Sequence, residues 1–166
     1  MRKAVYLSSL GLAFSLGLCC HRLVPEASAA SPQRVTGIGG IFFKARDPVK
    51  LKAWYSQHLG LNMNEHGTSF EGQTFEGKPA HIQWSTMPAT TKYFEPSRAS
   101  FMINYRVADL KSLLPILKSE GVTIVDKLDV ESYGLFVHIL DPEGNKIELY
   151  EPIGDTYLKD AKGRTR

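Results

Sequence analysis

The chain has 166 residues, 43% of them hydrophobic and 22% charged, a balance that suits a globular domain and excludes a disordered, collagen-like or coiled-coil chain. The formal charge of +3 gathers at the start. Without residues 1–30 there remain 17 Lys+Arg against 16 Asp+Glu, so composition gives no reason to expect nucleic acid or an acidic membrane as a partner.

In chain order, Arg2 and Lys3 precede an uncharged apolar run over residues 4–20, followed by Pro25 and the small residues 27–30. This is the layout of a signal peptide over residues 1–30, cleaved after Ala29 or Ala30, and implies an exported product, periplasmic or secreted, without stable membrane insertion. Lipid anchoring at Cys19 or Cys20 is the alternative, although Leu18 and Cys19 are not the small residues wanted just before a lipidated cysteine. Both cysteines fall in the leader, so the mature chain of 136 residues folds on its apolar core with no disulfide or thiol chemistry.

Beyond the leader the chain repeats itself. Residues 37–60 read GIGGIFFKARDPVKLKAWYSQHLG and residues 99–121 read ASFMINYRVADLKSLLPILKSEG; each is a strand-like run, an aspartate, an amphipathic helix and a closing glycine. In the first copy Asp47 caps, Pro48 sits in the first turn, and Leu51, Trp54, Tyr55 and His58 form the inward stripe. In the second, Asp109 caps and Leu110, Leu113, Leu114 and Leu117 form the stripe, with Pro115 expected to kink or shorten the helix. Gly60 and Gly121 are the stops. Strands are expected at 61–66, 68–73 and 81–86, and again at 122–127, 135–140 and 146–151, the last two joined by the turn Asp141-Pro142-Glu143-Gly144. The glycines at 37, 39 and 40 suit a strand approached closely by its neighbours, since no lysine or helix start comes directly after them to make a phosphate loop. The expectation is an α+β domain over residues 34–152, made of two βαβββ modules (34–95 and 98–152) that form a paired, cup-shaped mixed sheet. The stretch 87–98 connects the modules, and 153–166 is a flexible tail.

The repeat, the segment DPVKLKAWYSQHLGL at 47–61 and above all DPEGNKIELYEP at 141–152 resemble the vicinal oxygen chelate superfamily, the glyoxalase, bleomycin resistance protein and dioxygenase group. The resemblance covers residues 34–152 and implies the glyoxalase-like fold more firmly than any reaction, because one scaffold hosts unrelated chemistries. Metal-using members carry ligands, usually His, Glu or Gln, on strands lining the cup. Matching those positions to this chain gives Gly40, Gln83, Met102 and Glu148. Glycine has no donor and a thioether suits a hard or borderline cation poorly, so no metal and no other cofactor is expected; a divalent ion through Gln83 and Glu148, with His81 as a substitute ligand, is the alternative.

Strand alternation then places Phe42, Gln83, Ser85, Met102, Asn104, Arg106 and Tyr150 on the cup face with Glu148, and His138 beside it across the hairpin. Glu148 and His138 are the acid/base pair, with Phe42, Gln83, Met102, Asn104, Arg106 and Tyr150 as ligand-binding wall, Arg106 being placed to hold a carboxylate at the rim. Trp54 and Trp84 read as packing, His58 as a helix-end residue and His66 as part of a turn. Two functions compete: an exported module that binds a small organic molecule without metal, and a metal-dependent lyase, isomerase or dioxygenase resembling glyoxalase I. A homodimer is compatible with either, and an apolar, filled cup would instead signal a protein that only dimerises through its sheets.

The leader reading has a direct measurement. N-terminal sequencing of protein from the envelope or secreted fraction is expected to start at Ala30 or Ser31, and Met1 intact on cytosolic protein would sink it.

Overall fold

The computed structural model describes residues 33–74, 77–154 and 164–165; the leader expected over 1–30, with Cys19 and Cys20, lies outside them. The elements in order are β1 (Val35–Ala45), α1 (Pro48–Leu59), β2 (Thr68–Gln73), β3 (Pro79–Pro88), β4 (Phe101–Val107), α2 (Leu110–Ser119), β5 (Thr123–Ile124), β6 (Asp129–Glu131), β7 (Gly134–Leu140), β8 (Lys146–Pro152) and β9 (Arg164–Thr165). Among the described residues no helix is long and apolar enough to cross a membrane.

The two strands that open the repeats, β1 and β4, pair antiparallel along the midline of one mixed sheet ordered β5-β7-β8-β4-β1-β3-β2-β9, with β6 beside β7. On either side the pattern repeats: β1 takes β3 in parallel and β3 takes β2 antiparallel, while β4 takes β8 in parallel and β8 takes β7 antiparallel. This is the glyoxalase-like α+β arrangement of two modules expected from the repeat. Arg164 and Thr165, in the stretch read as a tail, pair in parallel with β2.

Both helices start and stop where the sequence puts them. Asp47 accepts from the Lys50 N–H at 3.0 Å and Asp109 from the Ser112 N–H at 2.9 Å, each satisfying one of the free donors of the first turn. The Leu110 N–H goes to Glu151 on β8 at 2.7 Å, tying the start of α2 to its own module. At the far end Gly121 has φ +81°, its N–H donates to Lys118 and that of Val122 to Leu117, a closure that needs the left-handed backbone. Arg34 forks onto Glu120 at 2.5 and 2.6 Å and binds the start of β1 to this helix end.

The helices bury unequally. Leu110, Leu113 and Leu117 of α2 enter the main core with Val107, Leu135, Val137 and Leu149, while exposed Pro115 lies in the same ten-residue helix without ending it. The stripe expected on α1 is corrected in part: Leu51 and Tyr55 are half-buried and no residue of α1 is fully buried, while Trp54 is 50% exposed with the His58 ring tilted against it. Of that stripe Tyr55 meets the sheet as expected, its ring 4.8 Å from that of Trp84, itself edge-on to Phe43.

Three strand expectations change. Residues 61–66 form no strand, because Asn64 and Gly67 exchange backbone hydrogen bonds and the Asn64 carboxamide accepts from His66, which folds the chain into a turn. The strand expected at 122–127 shrinks to Thr123–Ile124, since beyond it the Asp126 side chain, not a main-chain carbonyl, accepts from the His138 N–H. A short strand at Asp129–Glu131 was not expected and extends the sheet beside β7.

The asymmetry between the helices is measurable in urea denaturation. Leu110→Ala removes a fully buried side chain and is expected to cost about 2–5 kcal/mol. Leu59→Ala on α1, at a site 58% exposed, is expected to stay within about 0.5 kcal/mol.

Candidate functional site

Register across the sheet aligns one row of residues. Gln83 lies opposite Gly40, Gly40 opposite Asn104, Asn104 opposite Glu148 and Glu148 opposite His138. The next row brings Arg106 beside Tyr150 and Tyr150 beside Phe136. Close approach is built in beside this row, at the register shift before Gly40: a Cβ on Gly39 would lie 2.1 Å from the Asn104 carboxamide oxygen, so any larger residue there would push Asn104 off Glu148.

Glu148 is 3% exposed, and a carboxylate that far from water needs donors. It has three. Asn104 Nδ2 donates to Oε1 at 2.6 Å; His138 Nε2 lies 2.9 Å from Oε2; and the Tyr93 hydroxyl donates to Oε2 in a short hydrogen bond. Burial raises the Glu148 pKa, but the hydrogen bonds from His138, Tyr93 and Asn104 outweigh it and hold the carboxyl below its ordinary value of 4.5. The Tyr93 hydroxyl is pushed far up by its own burial and by the adjacent Glu148 charge, so it remains a donor.

The chain of contacts continues outward. His138 Nδ1 lies 2.6 Å from Asp126 Oδ2, while Oδ1 of the same carboxylate accepts the His138 N–H at 2.9 Å. A neutral imidazole donates to only one of the flanking carboxylates, whereas the protonated ring donates to both. Asp126 is two-fifths exposed, so the line from Glu148 through His138 ends at solvent.

The residues read from the sequence divide into two groups. Asn104, His138 and Glu148 converge, and Tyr150 and Arg106 flank them. Phe42 and Met102, expected to wall a binding cup, are corrected: they are 9% and 0% exposed and pack with Phe94, which fills that end of the cup. Gln83 turns to its own module, accepting from Ser69 Oγ at 2.7 Å and donating to the His66 and Trp84 carbonyls. Ser85 likewise donates to the His66 carbonyl. His81 is buried, with its carbonyl accepting from Arg106. Arg106 is not at a rim: it is 6% exposed, and its Nη2 donates to the carbonyls of Ile38 at 3.0 Å and His81 at 2.8 Å.

The four ligand positions implied by the resemblance therefore do not meet as a donor set. Gly40 offers nothing, the Met102 thioether is packed among Phe42 and Phe94, Gln83 is engaged by Ser69 and two carbonyls, and Glu148 is engaged by three donors. Among the described residues no group of three or more His, Cys, Asp or Glu side chains is placed to hold a metal ion.

Two residues of this site escaped the sequence reading. Tyr93 lies in the connector between modules, where a Tyr-Phe pair amid turn residues was the available signal; Phe94 anchors the segment, and Lys146 donates to the Tyr93 carbonyl at 2.7 Å with its ammonium 5.0 Å from the ring centre. Asp126 was hidden inside an expected strand. It also borders a half-open cavity of about 310 Å³, lined by Asp126, Lys127, Leu128, Asp129, Phe136 and His138. Phe136 stacks on Tyr150 with ring centres 4.8 Å apart, and Tyr133 meets Phe136 edge-on.

Against known proteins, residues 37–149 match the family model of the Glyoxalase/Bleomycin resistance protein/Dioxygenase superfamily. Methylmalonyl-CoA epimerase from Mycobacterium tuberculosis is similar in structure, with TM-score 0.51 and 23% identity over 77% of this chain and 95% of that one. The epimerase from Streptomyces coelicolor, solved with 2-nitronate-propionyl-CoA, gives TM-score 0.52 and 16% identity over 72% of this chain and 99% of that one. A Mn(II)-bound glyoxalase from Novosphingobium aromaticivorans gives TM-score 0.45 and 18% identity over 80% of this chain and 42% of that one. No curated protein matches.

The donors on Glu148 set the response to acid. A carboxyl whose folded pKa lies below the unfolded value contributes stability that is complete above about 4.5 and is lost as pH falls through the folded pKa. Tyr93→Phe removes one donor and raises that folded value. Denaturation in urea is expected to show a loss of about 1.5–3 kcal/mol at neutral pH and a smaller further loss on acidification than the parent shows. An unchanged stability would mean that the Tyr93 contact contributes nothing.

Proposed function

The chain belongs to the Glyoxalase/Bleomycin resistance protein/Dioxygenase superfamily, and from that premise we propose that it is an exported, metal-independent domain that binds a small organic molecule on its sheet face. The observation that carries this reading is the cavity beside His138, which opens next to the buried Glu148, His138 and Asn104 row and has Phe136 as an apolar wall. Phe136 and Leu128 give this recess its apolar surface, and Asp126, Lys127, Asp129 and His138 give it polar partners, which suits a small, polar organic molecule.

Binding is favoured over the metal-dependent reaction by the donors themselves. A cation at Glu148 would have to displace three hydrogen bonds and would find no side-chain donor at Gly40 and a thioether at Met102. Use of Glu148 as a general base is disfavoured by the same hydrogen bonds, which lower its affinity for a proton. Export rests on the Arg2/Lys3 start and the apolar run of the leader.

Native mass spectrometry and elemental analysis on protein purified without chelator test both halves of the reading. The expected result is a dissociable organic adduct with no stoichiometric Zn, Ni, Fe or Mn. Leu128→Trp, which fills the cavity, is expected to abolish the adduct without unfolding the chain. One equivalent of metal, or an adduct indifferent to Leu128→Trp, overturns the proposal.

A further inference from the structure

The charges behind the cavity are engaged: both oxygens of Asp126 meet His138, Glu148 has three donors, and Lys146 donates to the Tyr93 carbonyl. Two charges at its lining are not. Lys127 and Asp129 both border the cavity and carry opposite signs, yet among the described residues neither side chain takes part in a hydrogen bond or an ion pair, with the other or with anything else. Opposite charges that share one recess without touching leave a gap that a molecule bearing both signs can bridge.

The backbone that carries them is fastened on both sides. The Val125 N–H donates to the His138 carbonyl at 2.8 Å and Asp126 accepts the His138 N–H, which ties the chain to β7 just before Lys127. Just after it Leu128 packs against the main core, and Asp129 is the register partner of Phe136. Both charged side chains therefore rise from backbone already in place, while they themselves stay exposed. The space before them is small, since its volume of about 310 Å³ lies at the lower end of ligand cavities, which run from about 300 to 1,000 Å³. A plain anion entering it would meet Asp126 and Asp129, and a plain cation would meet Lys127. A zwitterion satisfies both signs and brings no net charge near the buried Glu148.

We propose that this recess is a zwitterion site that takes a small α-amino acid, its carboxylate toward Lys127, its ammonium toward Asp129 and its apolar side chain against Leu128 and Phe136. The inference rests on the reading that the cavity binds a small molecule, and it names the class of that molecule. Phe136 already has one face on Tyr150, so the apolar area left in the recess is modest and suits a short aliphatic side chain.

The test titrates L-leucine, and two probes that each lack one of its charges, into the purified full chain by calorimetry at low salt: isocaproate, without the ammonium, and isoamylamine, without the carboxylate. The parent protein is expected to bind leucine about fivefold more tightly than either, the ratio that one partly exposed ion pair supplies. Lys127→Met is expected to erase the preference over isoamylamine and keep that over isocaproate, and Asp129→Asn to do the reverse. Both positions are exposed, so both variants are expected to fold, which thermal melts check. A lysine and an aspartate that are merely solvated would leave the ratios unmoved by either substitution. That result overturns the site, as does equal binding of the three probes by the parent protein or no leucine binding at millimolar concentration. The broader binding reading is judged apart from this, by the adduct and its response to Leu128→Trp: an adduct lost in that variant but indifferent to Lys127→Met and Asp129→Asn keeps the cavity and removes the amino acid.

Discussion

A carboxylate withdrawn from water is tolerable only where donors surround it, and Glu148 imposes that condition on much of this molecule. Its three donors come from three separate places: Asn104 on β4, His138 on β7 and Tyr93 from the segment between the modules. Each is held by something else. Gly39 leaves room for Asn104, Asp126 grips His138 through both ring and main chain, and Phe94 and Lys146 pin the segment that carries Tyr93. One buried charge thereby ties three strands of the second module to the connector.

The same arrangement explains why the face is lopsided. Phe42, Met102 and Phe94 close one end with apolar packing, so free space remains toward β7 and the stretch after β5. The pseudo-symmetric sheet would offer two equivalent halves, but Gln83 is drawn into its own module by Ser69 and the His66 carbonyl, whereas its counterpart Glu148 is drawn to the centre. Both side chains use cross-strand neighbours, Ser69 for Gln83 and Asn104 and His138 for Glu148, but the charge also takes a donor from the connector, Tyr93.

The fold was largely legible because its signals are local. Asp47 and Gly60, and Asp109 and Gly121, mark the helices by the cap geometry they allow, and the Asp141 to Asn145 turn is closed by Asp141 accepting from Glu143 and Asn145. What failed was decided by side chains acting as backbone. Asn64 replaced a strand with a turn, and Asp126 cut one short by taking a ladder hydrogen bond. Alternation placed Asn104, His138 and Glu148 on one face. It could not show that Trp54 stays exposed, that Arg106 is buried, or that Tyr93 arrives from a connector, since those depend on long-range packing that no periodicity encodes.

The outer strands carry a different consequence. An exposed strand edge presents unpaired amides and carbonyls on which another chain can add, and long flat edges are where fibrils and stacked aggregates begin. Here Arg164 and Thr165 lie along β2 at Ser69 and Phe70, and the opposite margin ends in strands of two and three residues, Thr123–Ile124 and Asp129–Glu131, the latter bearing two carboxylates. Neither margin offers a long neutral template. Truncation before Arg164 would uncover that part of β2, so the last residues of the chain bear on how concentrated a solution this domain tolerates before it begins to associate through its sheet.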